Sequence, residues 1–178
     1  MTDSQILDVK DIDRIITRIS HEITEKKTFN PDSVVLVGIR TRGVFLAQRI
    51  QKKINEIEGF DLDVGTLDIS FHRDDLNLRD QLPQVGVTDV PFSIDNKIVV
   101  LLDDVLYTGR TIRAALDELI DLGRPDRIEL AVLIDRGHRE LPIKADFVGK
   151  NIPTKESDLV KVYLKEIDDR DEVIIKCL

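Results

Sequence analysis

Apolar residues along this chain keep two rhythms that alternate: steps of three and four, and short unbroken runs. Over residues 8–27, Ile12, Ile15, Ile16, Ile19 and Ile23 recur at helical spacing, which predicts an amphipathic helix. Its acids lead and its lysines trail, as a helix dipole favours. Residues 34–39 form a run that reads as a buried strand, 40–43 a turn, 44–57 a helix and 64–71 a strand. Across 72–96 no period is sustained, and Pro83, Gly86 and Pro91 interrupt what pattern there is. A stretch of that kind in a compact domain is usually a lid or a long flexible loop, with room for a short hairpin. Val99, Val100, Leu101 and Leu102 then read as a strand buried on both faces. A tight turn at 108–111 leads into a helix over 112–122. Residues 127–135 are another apolar strand, ended by Gly137, and 147–151, 159–165 and 172–176 are shorter ones.

Strand and helix alternate through the middle of the chain, which predicts an α/β fold: a mostly parallel central sheet flanked by helices on both faces. No repeat or linker divides residues 1–178, so a single domain is expected, with a small cap built from the chain ends.

Composition narrows the function classes. The chain has 178 residues, 42% hydrophobic and 34% charged, enough for one substantial core. A net charge of −8 argues against a generic nucleic-acid or membrane binder but leaves room for a local basic face. The one cysteine, Cys177, makes neither an intrachain disulfide nor a thiolate metal cluster, and His21, His72 and His138 lack zinc-ligand spacing. Without a signal-peptide pattern or a long apolar run, a cytoplasmic protein is the expectation.

The chemistry concentrates at the end of the strand at 99–102, where Asp103 and Asp104 are followed by Val105, Leu106, Tyr107, Thr108, Gly109, Arg110 and Thr111. Open α/β sheets bind ligands at the C-terminal edges of their strands. A glycine turn that opens a helix presents free backbone N–H groups and the positive end of the helix dipole, a cradle for phosphate. Carboxylates beside such a cradle suit a sugar phosphate. A second junction, Gly38 to Gly43, carries Arg40 and Arg42 instead of acids, which suits a doubly charged anion such as pyrophosphate. Arg73, at the entry to the long loop, can reach the same anion on loop closure; by itself the segment is equally a charged loop entry. Asp135 and Arg136 end the next strand and point to the same edge, with His138 and Arg139 just beyond.

Four apolar residues, two acids and a Thr-Gly-x-Thr loop resemble the 5-phosphoribosyl-1-pyrophosphate (PRPP) signature of type I phosphoribosyltransferases. With Val37 to Gly43, Leu122 to Pro125, Leu130 to Pro142 and Gly149 to Thr154, nearly the whole chain resembles the PyrR family, bifunctional pyrimidine-operon attenuators and uracil phosphoribosyltransferases. His72 departs from the usual tyrosine, and the segment 76–95 is not diagnostic. The resemblance implies the type I phosphoribosyltransferase fold and the reaction of uracil with PRPP to give UMP and pyrophosphate, with Mg²⁺ bridging substrate oxygens and its direct protein ligands unknown. It implies catalysis by Asp103, Asp104 and Arg73. Donor and nucleotide binding fall to Arg40, Thr41, Asp103, Asp104, Val105, Leu106, Tyr107, Thr108, Gly109, Arg110, Thr111, Arg136 and Val160.

The resemblance further implies binding to a single-stranded loop of leader mRNA, strengthened by UMP or UTP, and a homodimer or higher homo-oligomer. Arg14, Thr17, Arg18 and His21 share a face of the first helix, and His138, Arg139, Lys144, Lys150 and Lys155, with Thr154, form a second basic run. From composition alone both are solvated surface; the resemblance reverses that order. Aromatic residues are only 4%, so RNA recognition has to lean on hydrogen bonds and shape more than on stacking. Two alternatives stay open: a salvage phosphoribosyltransferase with no RNA role, and an RNA binder that keeps the pocket only as a sensor.

Overall fold

The structure, a computed structural model, describes residues 3–69 and 86–177. Thirteen elements follow in order among them: β1 (Asp3–Leu7), α1 (Val9–Thr24), a short 3₁₀ turn (Pro31–Ser33), β2 (Val34–Ile39), α2 (Arg42–Glu58), β3 (Val64–Leu67), β4 (Ile98–Leu106), α3 (Arg110–Leu122), β5 (Arg127–Asp135), β6 (Phe147–Asn151), β7 (Leu159–Tyr163), α4 (Lys165–Asp168) and β8 (Glu172–Lys176). The central sheet runs β3-β2-β4-β5-β6, every pair parallel. A second sheet, β1-β8-β7, is antiparallel and joins the two chain ends into the expected cap.

Burial follows the two rhythms of the sequence. In α1, Asp8 caps the helix in a reciprocal box with Asp11, and Ile12, Ile15, Ile16, Ile19 and Ile23 are buried. Each such isoleucine contributes roughly 1.5–3 kcal/mol on leaving water. They pack with α2, one face of the central sheet and the cap in one core. The other face is covered by α3 through Ile112, Ala114, Ala115 and Leu119. Helices therefore flank both faces, with β2 and β4 buried between them.

Several boundaries differ from the sequence expectation. α1 ends at Thr24, three residues short of Lys27, and α2 and α3 each begin two residues early, at Arg42 and Arg110. β4 does not stop at Leu102; it carries the acids within it, because β5 continues beside it to the pair Leu106↔Asp135. The strand expected at 159–165 ends at Tyr163 as β7, with α4 starting at Lys165, and β1 is an edge strand that the pattern did not announce. Of the long irregular stretch, residues 72–85, with His72 and Arg73, lie outside the described residues, as do Ser70 and Phe71 of the expected strand. The described remainder makes an isolated bridge, Thr66↔Asp89, and its Asp95 accepts the Arg124 N–H at 2.6 Å below the end of α3.

Candidate active site at the C-terminal edge of the parallel sheet

The loop after β4 is held open at the start of α3. Gly109 sits at φ +93°, in the left-handed region, and no side chain caps the helix behind it. A Cβ there would also lie 3.2 Å from Ile143. The Thr108 carbonyl accepts the Glu140 and Leu141 N–H groups at 3.0 and 3.2 Å. Arg139 pins the same loop, donating to the carbonyls of Leu106 (3.3 Å) and Tyr107 (2.7 Å) and forming an ion pair with Asp135. The segment after β5 thus fixes the loop from outside; at the start of α3 Gly109 supplies no side-chain cap, and the Arg110 N–H makes a long contact with the Thr108 hydroxyl at 3.4 Å.

Asp103 is 7% exposed and its Oδ1 accepts the Asp104 N–H at 2.9 Å; Asp104 Oδ1 accepts the Val105 N–H at 2.8 Å. Burial pushes the Asp104 carboxyl above the usual carboxylate range, against the opposing pull of a hydrogen bond with Asp103 and the charge of Arg42. An acid so placed gains from any ligand that brings hydroxyl donors or positive charge.

The arginine turn lies alongside. The Arg40–Thr41 peptide bond is cis, and the Arg40 N–H donates to the Leu67 carbonyl at 2.9 Å. Thr41 precedes α2 without a side-chain cap, leaving a second helix start without one at the same edge. Glycine is required on both sides: a Cβ on Gly38 would lie 2.4 Å from the Val44 Cα, and one on Gly43 2.3 Å from the Leu102 carbonyl oxygen. Asp68, 8% exposed, and Arg40 converge on Gly86, where an added Cβ would meet them at 2.0 and 2.7 Å. Sequence reasoning missed Asp68, an acid in an apolar strand end, and the particular place of Arg42.

Arg136 is 5% exposed and stacks over Tyr107, 4.0 Å from the ring centroid. Its Nη2 donates to the Lys155 carbonyl at 2.9 Å. Its own carbonyl accepts the Thr154 hydroxyl at 3.1 Å, and the Thr154 carbonyl lies 2.7 Å from His138 Nε2. Val160, buried in β7, belongs to the cap sheet, which touches β4.

The expected RNA-facing residues separate into groups. Arg14, Thr17, Arg18 and His21 line an open depression on α1 with Asp13 and Glu25. Arg18 donates to the carbonyls of Val148 and Gly149 at 3.0 and 2.6 Å, which brings Lys150 of β6 beside Arg14. His138 and Thr154 form the second group, Lys144 is exposed on its own loop, and Arg139 belongs with the donor loop.

Together, the fold and this edge define a phosphoribosyltransferase of type I architecture. The family of the phosphoribosyl transferase domain matches residues 3–166. A hypoxanthine phosphoribosyltransferase from Staphylococcus aureus superposes with a TM-score of 0.71 at 24% identity, covering 96% of this chain and 90% of that one. One from Trypanosoma cruzi gives 0.74 at 18%, covering 97% and 90%. At these identities the likeness is one of fold. Relatives named Bifunctional protein PyrR are far nearer in sequence: 56% identical over 173 residues in Clostridioides difficile, with 97% of each chain covered, and 54% over 176 residues in Staphylococcus epidermidis, covering 99% of this chain and all 100% of that one. The chain belongs to the PyrR family.

Proposed function

We propose that this protein transfers the phosphoribosyl group of PRPP to uracil, giving UMP and pyrophosphate, and regulates a pyrimidine biosynthesis operon by uridine-nucleotide-dependent binding to leader mRNA. The observation that carries the catalytic half is the acid pair, Asp103 buried and Asp104 half-buried, between two helix starts whose N-cap residues, Gly109 and Thr41, supply no side-chain cap. The first suits the 5′-phosphate, received by the amides of Gly109, Arg110 and Thr111 and the hydroxyls of Thr108 and Thr111. The second, with Arg40 and Thr41, suits pyrophosphate, and Arg73 joins it. Asp103 and Asp104 take the ribose hydroxyls between them.

Mg²⁺ carried by the donor would lie beside the hard oxygens of Asp103 and Asp104, and would supply charge stabilisation for the leaving pyrophosphate. In the transfer, the ribose C1–oxygen bond to pyrophosphate breaks and the bond from C1 to uracil N1 forms, the N1 proton leaving. Positive charge grows on the sugar ring and negative charge on the leaving group. The carboxylates face the first and Arg40 and Thr41 face the second, so no covalent nucleophile is needed. Uracil lies beside Arg136 and Val160, under the cap.

RNA binding draws on Arg14, Thr17, Arg18, His21 and Lys150 around α1 and on His138 and Thr154 near the pocket. The assembly is a homodimer or larger, in the cytoplasm. A titration of leader RNA with and without UMP, beside an assay of UMP formation, tests both halves. UMP should tighten RNA binding; a flat RNA response with intact turnover leaves a salvage enzyme.

A further inference from the structure

One guanidinium of the arginine turn has no task in the donor-binding reading. Arg42, the first residue of α2, has a side chain 31% exposed. Its Nη2 donates to both carboxylate oxygens of Asp168, 3.1 Å each, across 126 positions of sequence to α4 in the cap. Asp168 Oδ2 also accepts the Leu164 N–H at 3.0 Å, which fixes the carboxylate to the end of β7. Toward the sheet, the tight seating of Gly43 against the Leu102 carbonyl and the Asp103 Cα brings the start of α2 against the acid pair. The Arg42 charge favours ionised Asp104. Its Nε is buried and has no hydrogen-bond partner among the described residues. Both partners are half-buried, so separating them is unfavourable, and the fork of two hydrogen bonds holds Asp168 and Arg42 in place.

We propose that Arg42 is a positioning residue for the transfer, a strut that ties the cap through Asp168 to the ribose-holding Asp104. The wall over the acceptor and the seat of the sugar are thereby set as one unit. Arg42 touches neither substrate; it acts through the two carboxylates. A fixed guanidinium suits this role because its planar fork keeps its orientation while its charge reaches a second acid. Misplacement of reacting groups by a fraction of an ångström is enough to slow such a reaction. The inference rests on the reading of Asp104 as a ribose ligand.

UMP-forming kinetics of Arg42→Met and Arg42→Lys, in the native protein and in Asp104→Asn, test it. Arg42→Met should lower kcat/KM for PRPP about tenfold, and Arg42→Lys, which keeps the charge but not the planar fork, should recover part of the loss. In the Asp104→Asn background Arg42→Met should cost less than about threefold, because its partner is already gone. Equal losses in both backgrounds overturn the proposal, as does a Lys variant as slow as the Met variant. If Arg42→Met fails to fold in a thermal melt, Arg42→Met with Asp168→Asn replaces it, since that pair leaves no orphaned carboxylate, and the same comparison decides. Native-like turnover in Asp104→Asn alone would instead bring down the ribose reading, a distinct outcome.

Discussion

The acid pair of β4 and the basic face of α1 are both clusters of charge, built in opposite ways. Asp103 is buried and Asp104 half-buried beside it, and desolvation raises the Asp104 pKa. On the expected RNA face of α1 the side chains are exposed and paired locally: Arg14 with Asp11, Arg18 with Glu22 at 2.6 Å, and His21 within 3.9 Å of Glu25 at the helix end. Buried charge is costly when the site is empty and strong when a ligand completes it. Exposed, paired charge costs little and is weak per contact, so an RNA surface needs several such residues acting together. The contrast teaches where the free energy of each activity is kept: in desolvation for the sugar phosphate, in number for the RNA.

The largest expected effect breaks the buried side. Asp104→Asn should lower kcat for UMP formation by about 10²-fold or more, the scale of losing one aligned charge at a developing charge. The same substitution should raise the melting temperature of the ligand-free protein at neutral pH. A folded-state pKa above the ordinary 3.8 means that stability is greatest below that value and declines as pH rises through the folded-state value, and asparagine removes that decline. A melt that falls instead would mean that the acid is not the strained group.

Gly109→Val comes next. The φ of +93° and the 3.2 Å approach to Ile143 leave no relaxed place for a branched side chain. Its KM for PRPP should rise about tenfold, with a loss of about 1–2 kcal/mol in stability. Steady-state kinetics and denaturant melts read the two separately.

The exposed side should respond more gently, and it divides. His21→Ala should weaken RNA about threefold to tenfold and leave UMP formation unchanged, a comparison made by filter binding and enzyme assay on one preparation. Arg139→Ala, expected from sequence to behave likewise, should also slow catalysis, because its guanidinium holds the carbonyls of Leu106 and Tyr107. If Arg139→Ala spares turnover, the loop is rigid without its clamp.

The smallest effect lies in the cap. Arg49 of α2 grips Glu166 at 2.6 Å and Asp171 at 2.7 Å. The Arg49 hydrogen bond draws the Glu166 pKa down; at Asp171 desolvation is the largest single effect and pushes up, but the Arg49 hydrogen bond, the Lys165 N–H and the charges of Arg49 and Lys165 together outweigh it. Depressed carboxyl pKa values contribute stability above the ordinary values of 4.5 and 3.8 and lose it as pH falls through the folded ones. Partial exposure limits this to about 1 kcal/mol. Arg49→Met should therefore melt a few degrees lower at pH 7, with the gap closing below about pH 4. A gap that persists in acid would point to lost packing of the arginine stem.

What the sequence made legible follows from how local each signal is. The isoleucine stripe of α1, the apolar run of β4 and the Gly109 turn are local, and they sit where the pattern put them. The extension of β4 through its acids is not local, since it depends on β5 lying alongside. β1 buries only Leu7, so no period marked it, and α4 buries nothing. Arg42 looked like a twin of Arg40 because its partner Asp168 is 126 residues away. Arg139 read as one more base in a basic run because nothing in that run marks a guanidinium bound to carbonyls.

The proposed nucleotide site draws on segments near residues 40, 104, 109, 136 and 160, which meet only when the parallel sheet and the cap are both in place. A ligand bound there sees the whole native state and none of the unfolded one. At 100 times its dissociation constant it adds about 2.7 kcal/mol to the folding free energy. For a protein whose proteolysis follows its unfolded fraction, that is roughly a hundredfold smaller target. Pyrimidine supply would then set how long each molecule survives, alongside what it does while it lasts.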